Sequence, residues 1–280
     1  MTRFIRQRKK NKVIPGFALS MGITLAMLSC IVLIPLLSVI LSLSGTTFAE
    51  FLATITDKQV LVAYRVSFQC SLIAALINCF FGVLLAWILV RYRFPGRRIL
   101  DGFIELPFAL PTSVAGIALT TLYSDSGWIG RIFAHIGIKI SYTLIGITIA
   151  LIFIGIPFVV RSVQPVLEKL DRQYEEAAMI LGASQSKTFF KVVFPEILPA
   201  MLTGFGLAFA RGLGEYGSVV FIAGNIPYKT QITPLIIISK LEQFNYDGAT
   251  SIALTMIIFS FVILFSLNIL QARVNKVTKV

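Results

Sequence analysis

The feature that most restricts what this chain can become is the length of its apolar runs. Six of them, at about residues 17–43, 61–90, 103–123, 142–160, 197–222 and 249–270, approach the ~20 helical residues needed to cross roughly 30 Å of hydrocarbon. None shows the polar-in, apolar-out alternation of a membrane barrel, so the expected fold class is all-α, a polytopic membrane protein of six transmembrane helices. The composition agrees, with 56% of the 280 residues apolar and only 14% charged. The first run has a basic front and a small-residue pair at Ser42-Leu43-Ser44, as a secretion signal would. Its apolar stretch of about 26 residues exceeds the 7–15 of a signal peptide, which predicts a retained anchor.

The net charge of +12 invites a nucleic-acid reading until the cations are placed. Arg3, Arg6, Arg8, Lys9, Lys10 and Lys12 precede the first span, and Arg91, Arg93, Arg97 and Arg98 follow the second. Arg161, Lys169, Arg172, Lys187 and Lys191 follow the fourth, and Arg273, Lys276 and Lys279 follow the sixth. The alternate loops hold only Lys58, Arg131, Lys139, Lys229 and Lys240. That asymmetry is the positive-inside pattern. It predicts a basic cytoplasmic N-terminus over residues 1–16, a basic cytoplasmic tail over 273–280, and a cytoplasmic loop over 161–195. The basic excess then reads as topology in a lipid bilayer, with no nucleic-acid partner.

Several chemistries lack their residues. Cys30, Cys70 and Cys79 all lie in apolar runs without C-x-x-C spacing, and read as packing residues. His135 is the single histidine and falls in a short loop, so neither a metal site nor a Ser-His-Asp triad is expected, and no catalytic residue is assigned. No G-x-x-x-x-G-K-[ST] phosphate loop occurs, which places any nucleotide hydrolysis on another polypeptide.

The long basic loop is ordered in a particular way. Helix formers run from Leu167 to Leu181, Gly182 suits a left-handed helix stop, and Ser184 offers an N-cap for a second helix through Val193. Pro195 is expected to separate that helix from the next span. Ala177, Ala178, Gly182 and Ala183 strip bulk from the turn, as a close-fitting docking surface would require. A surface-lying hairpin without a partner fits the same pattern.

The spacing Glu176-Ala177-Ala178, three residues, Gly182, nine residues, Val192-Val193-Phe194-Pro195 resembles the EAA signature of ABC-transporter permease subunits. Val192 and Phe194 stand where that family has isoleucine and leucine, which keeps the apolar character. Glu105-Leu-Pro-Phe-Ala-Leu-Pro-Thr-Ser-Val-Ala-Gly116, Gly127-Trp128-Ile129-Gly130, Gly214-Glu215-Tyr216-Gly217 and Ala223-Gly224-Asn225-Ile226-Pro227 with Lys229-Thr230-Gln231 are similar to sulfate permeases of the CysT type. Molybdate permeases are similar through the same region. The resemblance implies a pore of two permease subunits, either a second, CysW-like subunit or a second copy. It also implies two ABC ATPase subunits carrying ATP-Mg, with no cofactor on this chain, and a soluble sulfate-binding protein on the far side. In that scheme Glu176, Ala177, Ala178, Gly182, Val192, Phe194 and Pro195 form the ATPase-coupling loop. The cargo is sulfate, with thiosulfate, molybdate and tungstate as alternatives. An ATP-independent secondary transporter or channel is the alternative class.

Two candidates for an anion pathway follow from the residues. Charges inside spans cost about 2.5–3.5 kcal/mol each on insertion scales, so Arg211 and Glu215, spaced i, i+4, need a reason: mutual neutralisation at a glycine-rich helix contact, or anion contact by Arg211. Pro111 marks either a simple kink or a broken helix, whose free N–H groups beside Thr112 and Ser113 would favour an anion. Pro227 to Gln231 reads as a polar turn on the outer side. The expected location is a bacterial inner membrane, or a chloroplast envelope if plastid-encoded, towards which the many phenylalanines and isoleucines lean.

Overall fold

The computed structural model describes residues 17–278, and the basic N-terminal residues and Lys279 lie outside it. The described residues divide into two compact units, one ending at Thr47 and the other beginning at Phe48.

The first unit is one apolar span, Leu19–Gly45. It comprises α1 (Phe17–Leu28), a π turn (Ser29–Leu33), α2 (Ile34–Ser42) and a closing 3-10 turn (Leu43–Gly45). The π turn has a local cause. Pro35 cannot donate to the carbonyl four residues back and its ring crowds that carbonyl, so the chain takes up an extra residue and Ile34 N–H donates to Ser29 O. Cys30, expected as a packing residue, is exposed on this span.

The second unit begins with α3 (Phe48–Ile55) and then α4 (Lys58–Arg91), 34 residues without an interior proline. Asp57 starts α4 by accepting from the N–H groups of Gln59 (2.8 Å) and Val60 (3.4 Å). After α4 come α5 (Arg97–Ala109), α6 (Thr112–Tyr123), α7 (Trp128–His135) and α8 (Leu144–Lys169). The polar loop holds α9 (Arg172–Ile180) and α10 (Gln185–Thr188), and a π turn (Phe189–Val193) leads into α11 (Phe194–Leu213). A short α12 (Val219–Ala223), α13 (Thr233–Glu242) and α14 (Tyr246–Thr278) complete the unit.

Its core is the triple contact of α4, α8 and α11. The buried side of α4 is mostly small: Ala63, Ser67, Cys70, Ser71, Ala74, Ala75, Asn78, Gly82 and Ala86 recur at helical spacing. Lipid tails are as apolar as leucine, so helices in a bilayer associate through close packing, and small residues permit it. A Cβ on Gly82 would meet the Val159 side chain at 2.7 Å, and one on Gly204 would meet the Val159 Cα at 2.7 Å.

Five described helices are long and apolar enough to span a membrane, and α5 with α6 supply a sixth only as a pair bent by 112°. The structure thereby redraws four of the boundaries read from the apolar runs. The 103–123 run is broken at Leu110-Pro111, because a proline after Leu110 disfavours helical geometry there. The 142–160 run continues to Lys169, through Pro157 and Pro165. The 197–222 run stops at Leu213, leaving Gly214 to Ser218 as a loop. The 249–270 run extends over all of α14, Tyr246–Thr278.

Candidate functional site

Two places carry the sequence-predicted residues: the hairpin of α9 and α10, and the elbow where α6 meets the loop after α11.

Asp171 caps α9 by accepting from Gln173 N–H at 3.1 Å, so the loop helix begins at Arg172 rather than Leu167. Its end is a Schellman turn: Gly182 N–H donates to Met179 O (2.9 Å) and Ala183 N–H to Ala178 O (3.0 Å). Gly182 sits at φ +80° with open space around it, so its identity is set by the backbone and not by crowding. Ser184 then caps α10 through Lys187 N–H (3.4 Å), as the sequence predicts. Pro195 does not separate the second loop helix from the span. Phe194 N–H donates to Phe189 O in a π turn, and one helix runs from Gln185 to Leu213. This is the Pro35 solution repeated.

The motif residues divide into two sets. Val192, Phe194 and Pro195 are partly buried around the fully buried Val193 and Ile197, and Phe189 meets Trp87 of α4 edge-on with ring centroids 5.3 Å apart. They fix the hairpin to the bundle. Glu176 and Ala177 are exposed, Ala178 is half-buried, and Gly182 lies at the tip. Beside them stand two residues whose prominence sequence reasoning missed: Ile180 is 86% exposed and Leu181 88%. Bare apolar side chains clustered at a low-bulk tip are the signal of an interaction site. Between this hairpin and α4 runs a largely apolar groove of about 760 Å³, lined among others by Trp87, Glu175, Met179, Phe189 and Phe190.

The second place joins the two anion candidates. Glu215, 1% exposed, lies in the loop beyond α11 and not on its helical face, yet still pairs with Arg211. Its Oε1 accepts from Ser218 N–H (2.9 Å) and Ser218 Oγ–H (3.0 Å), so the carboxylate also caps the start of α12. Glu215 is therefore a fully occupied brace. Arg211, with 37% of its side chain exposed, keeps guanidinium donors to spare. The first turn of α6 packs directly on this loop: a Cβ on Gly217 would overlap Thr112 Oγ1 and fall 3.3 Å from Ser113 N. From the other side, a Cβ on Gly116 would fall 2.5 Å from Ser218 O. Pro111 is the N-cap of α6 and supplies no side-chain bond, and the first N–H groups of a helix have no partner within it. Thr112 is half-buried and Ser113 exposed. The elbow thus links Arg211, through Glu215 and the loop to Gly217, to Thr112 and Ser113 in the first turn of α6.

Helix contacts give its depth. Gly155 lies against Asn78 and Ala208, and Gly212 against Ser71. At ~1.5 Å per residue, Arg161 stands about 9 Å from Gly155 towards the loop end and Arg211 about 4.5 Å from Ala208 the other way. Arg161 pairs there with Asp101 (2.8 Å) and Glu105 (2.7 Å) of α5, a charged layer that sequence reasoning did not assemble. At the far end Gln59 donates to Gln231 (2.6 Å), roughly 18 Å along α4 from Ser71. Along α4 Asn78 and Gln59 are about 28 Å apart, so the two polar layers are separated by roughly 37 Å, with the Arg211 elbow between them.

Comparison with known proteins agrees with this architecture. Residues 78–280 match the family described as binding-protein-dependent transport system inner membrane component. The chain is 48% identical over 266 residues to the sulfate transport system permease protein CysT of Salmonella typhimurium, covering 95% of this chain and 96% of that one. It is 48% identical over 250 residues to the probable sulfate transport system permease protein cysT of Chlorokybus atmophyticus, covering 89% and 87%. In fold it is similar to a chain of a bacterial alginate ABC transporter crystallised with a periplasmic protein bound to an alginate pentasaccharide, with a TM-score of 0.78 at 16% identity, covering 92% and 94%. The matched length and these identities place the chain in the binding-protein-dependent transport system inner membrane component family.

Proposed function

We propose that this chain is the permease subunit of an ATP-driven sulfate importer, forming half of the anion pathway and coupled to separate ATPase subunits through the α9–α10 hairpin. The observation that carries the cargo is the 48% identity to a sulfate permease across 95% of the chain. In this reading the basic end faces the cytoplasm, ATP-Mg belongs to the partner ATPases, and a soluble binding protein delivers sulfate at the opposite end. A second permease subunit, CysW-like or a second copy, completes the pore in a bacterial inner or chloroplast envelope membrane.

The hairpin geometry supports the coupling role. Glu176, Ala177, Ala178 and Gly182 lie on or beside a low-bulk tip with Ile180 and Leu181 bare, while Val192, Phe194 and Pro195 tie the same hairpin to the span that carries Arg211. A partner that grips the tip differently in its open and closed states shifts the permease between conformations by that difference in contact energy. Sulfate passes the elbow through the spare donors of Arg211, the Ser113 hydroxyl and the first N–H groups of α6, with Glu215 holding the guanidinium in place. A Gly182→Arg variant, tested with its ATPase and binding protein in vesicles, is expected to insert normally and lose ATP-coupled uptake. Normal sulfate uptake by that variant would contradict the coupling assignment.

A further inference from the structure

The attachment of α9 to the bundle is unusual in kind. None of its residues is buried, and the apolar groove lies between it and α4. Its polar links to the bundle converge on a single residue at the end of α4. Glu175 pairs with the Arg91 guanidinium at 2.6 Å, with the two side chains only 16% and 10% exposed. Arg172 donates to the Arg91 backbone carbonyl at 3.0 Å. Arg91 also donates to Leu170 O, the C-cap of α8, at 3.3 Å, and lies over the Trp87 ring at 5.5 Å. One residue therefore joins α4, the end of α8 and the loop helix.

We infer that Arg91 is a positioning residue for coupling, anchoring α9 to α4 through Glu175 and Arg172; this rests on the importer reading above. Glu175 precedes the Glu176-Ala177-Ala178 tip and faces the bundle, so the tip is free for a partner while the anchor stays engaged. The mechanical consequence follows from α4 itself. It is one uninterrupted 34-residue helix, about 50 Å long, and its Ser71 lies against Gly212, next to Arg211. A displacement of α9 held at Arg91 is delivered along a rigid rod to the elbow. Were α9 held by apolar packing, it would slide over its groove and the displacement would dissipate. A guanidinium paired with a carboxylate at 2.6 Å in a partly dry site resists such sliding, because separating the two charges there costs Coulomb energy that water screens little.

The test uses the assembled complex of permease, ATPase and binding protein in vesicles, with Arg91→Lys, Glu175→Gln and the exchange Arg91→Glu with Glu175→Arg. Uptake of labelled sulfate per ATP hydrolysed is expected to fall at least tenfold in Glu175→Gln, fall less in Arg91→Lys, and recover to within about threefold in the exchange. Spin labels at Gln173→Cys and Arg93→Cys, in a background without native cysteines, read the anchor without any need for transport. The distance distribution is expected to broaden about twofold in Glu175→Gln and narrow again in the exchange. An unchanged distribution in Glu175→Gln, or an exchange variant that assembles yet stays uncoupled, would overturn the anchor. A wild-type complex without ATP-driven sulfate uptake would remove the importer reading, and the label distances would still decide the anchor.

Discussion

The Arg211–Glu215 pair makes an asymmetric prediction, because its two members are unequally buried. Removing one partner from a buried pair costs about 3–5 kcal/mol, chiefly for the charge left behind. Arg211→Ala strands the Glu215 carboxylate, 1% exposed, with only the two hydrogen bonds from Ser218 to support it. Those bonds survive, so the cost falls near the low end, about 3 kcal/mol. Glu215→Gln is isosteric and retains an oxygen to accept from Ser218, while the stranded Arg211 is more than a third exposed and can reach polar surroundings. Its cost is about 1 kcal/mol, the worth of an ordinary hydrogen bond. The difference of about 2 kcal/mol converts to a melting difference of roughly 4–8 °C for a protein of this size. Thermal unfolding of the purified variants in one detergent, at one heating rate, measures it. Arg211→Ala should melt lowest, and adding Glu215→Gln to it should raise the melting temperature. Equal losses for the two single variants, or a double variant worse than Arg211→Ala, would refute the assignment of Glu215 as the buried brace.

Two further outcomes probe the elbow. Gly116→Ala places a methyl group 2.5 Å from the Ser218 carbonyl oxygen and 2.8 Å from the Ser218 Cα, backbone that cannot swing aside. A loss of about 1–3 kcal/mol is expected, whereas Gly102→Ala, with open space around it in α5, should hold or gain up to about 1 kcal/mol in the same melting assay. Arg211→Lys and Ser113→Ala should each weaken sulfate transport severalfold while leaving folding intact, because they alter the anion's donors and not the brace. Unchanged transport in both would remove the elbow from the pathway.

How much of this was legible in the sequence depends on how far apart the cooperating residues lie. The spans are written in continuous apolar runs, and the helix stop at Gly182 and the cap at Ser184 are local features, whereas the cap at Asp171 was hidden by the helix formers on either side of it. Pro195 was misread because proline in a helix interior usually ends it. Here a π turn releases the crowded carbonyl, and nothing in the residues themselves distinguishes the two outcomes. Glu215 looked helical because the apolar run continues past it, but the glycines at 212, 214 and 217 let the chain leave the helix after Leu213. Thr112 and Glu215 had to be treated as separate candidates, since the contact that joins their segments, Thr112 against Gly217, is long-range and steric. Arg91 and Glu175 are likewise far apart in the chain, and no spacing rule links them. Positive charges near Arg91 read as topology, which hid the one whose side chain is only 10% exposed.

The central claim is that this chain carries sulfate at the expense of ATP hydrolysed by a partner. The direct measurement is uptake of labelled sulfate into vesicles holding the permease with its ATPase and second subunit, with binding protein added, in the presence and absence of ATP and with excess molybdate. Uptake should require ATP and persist under molybdate competition. ATP-independent uptake, or accumulation abolished by molybdate, would contradict it.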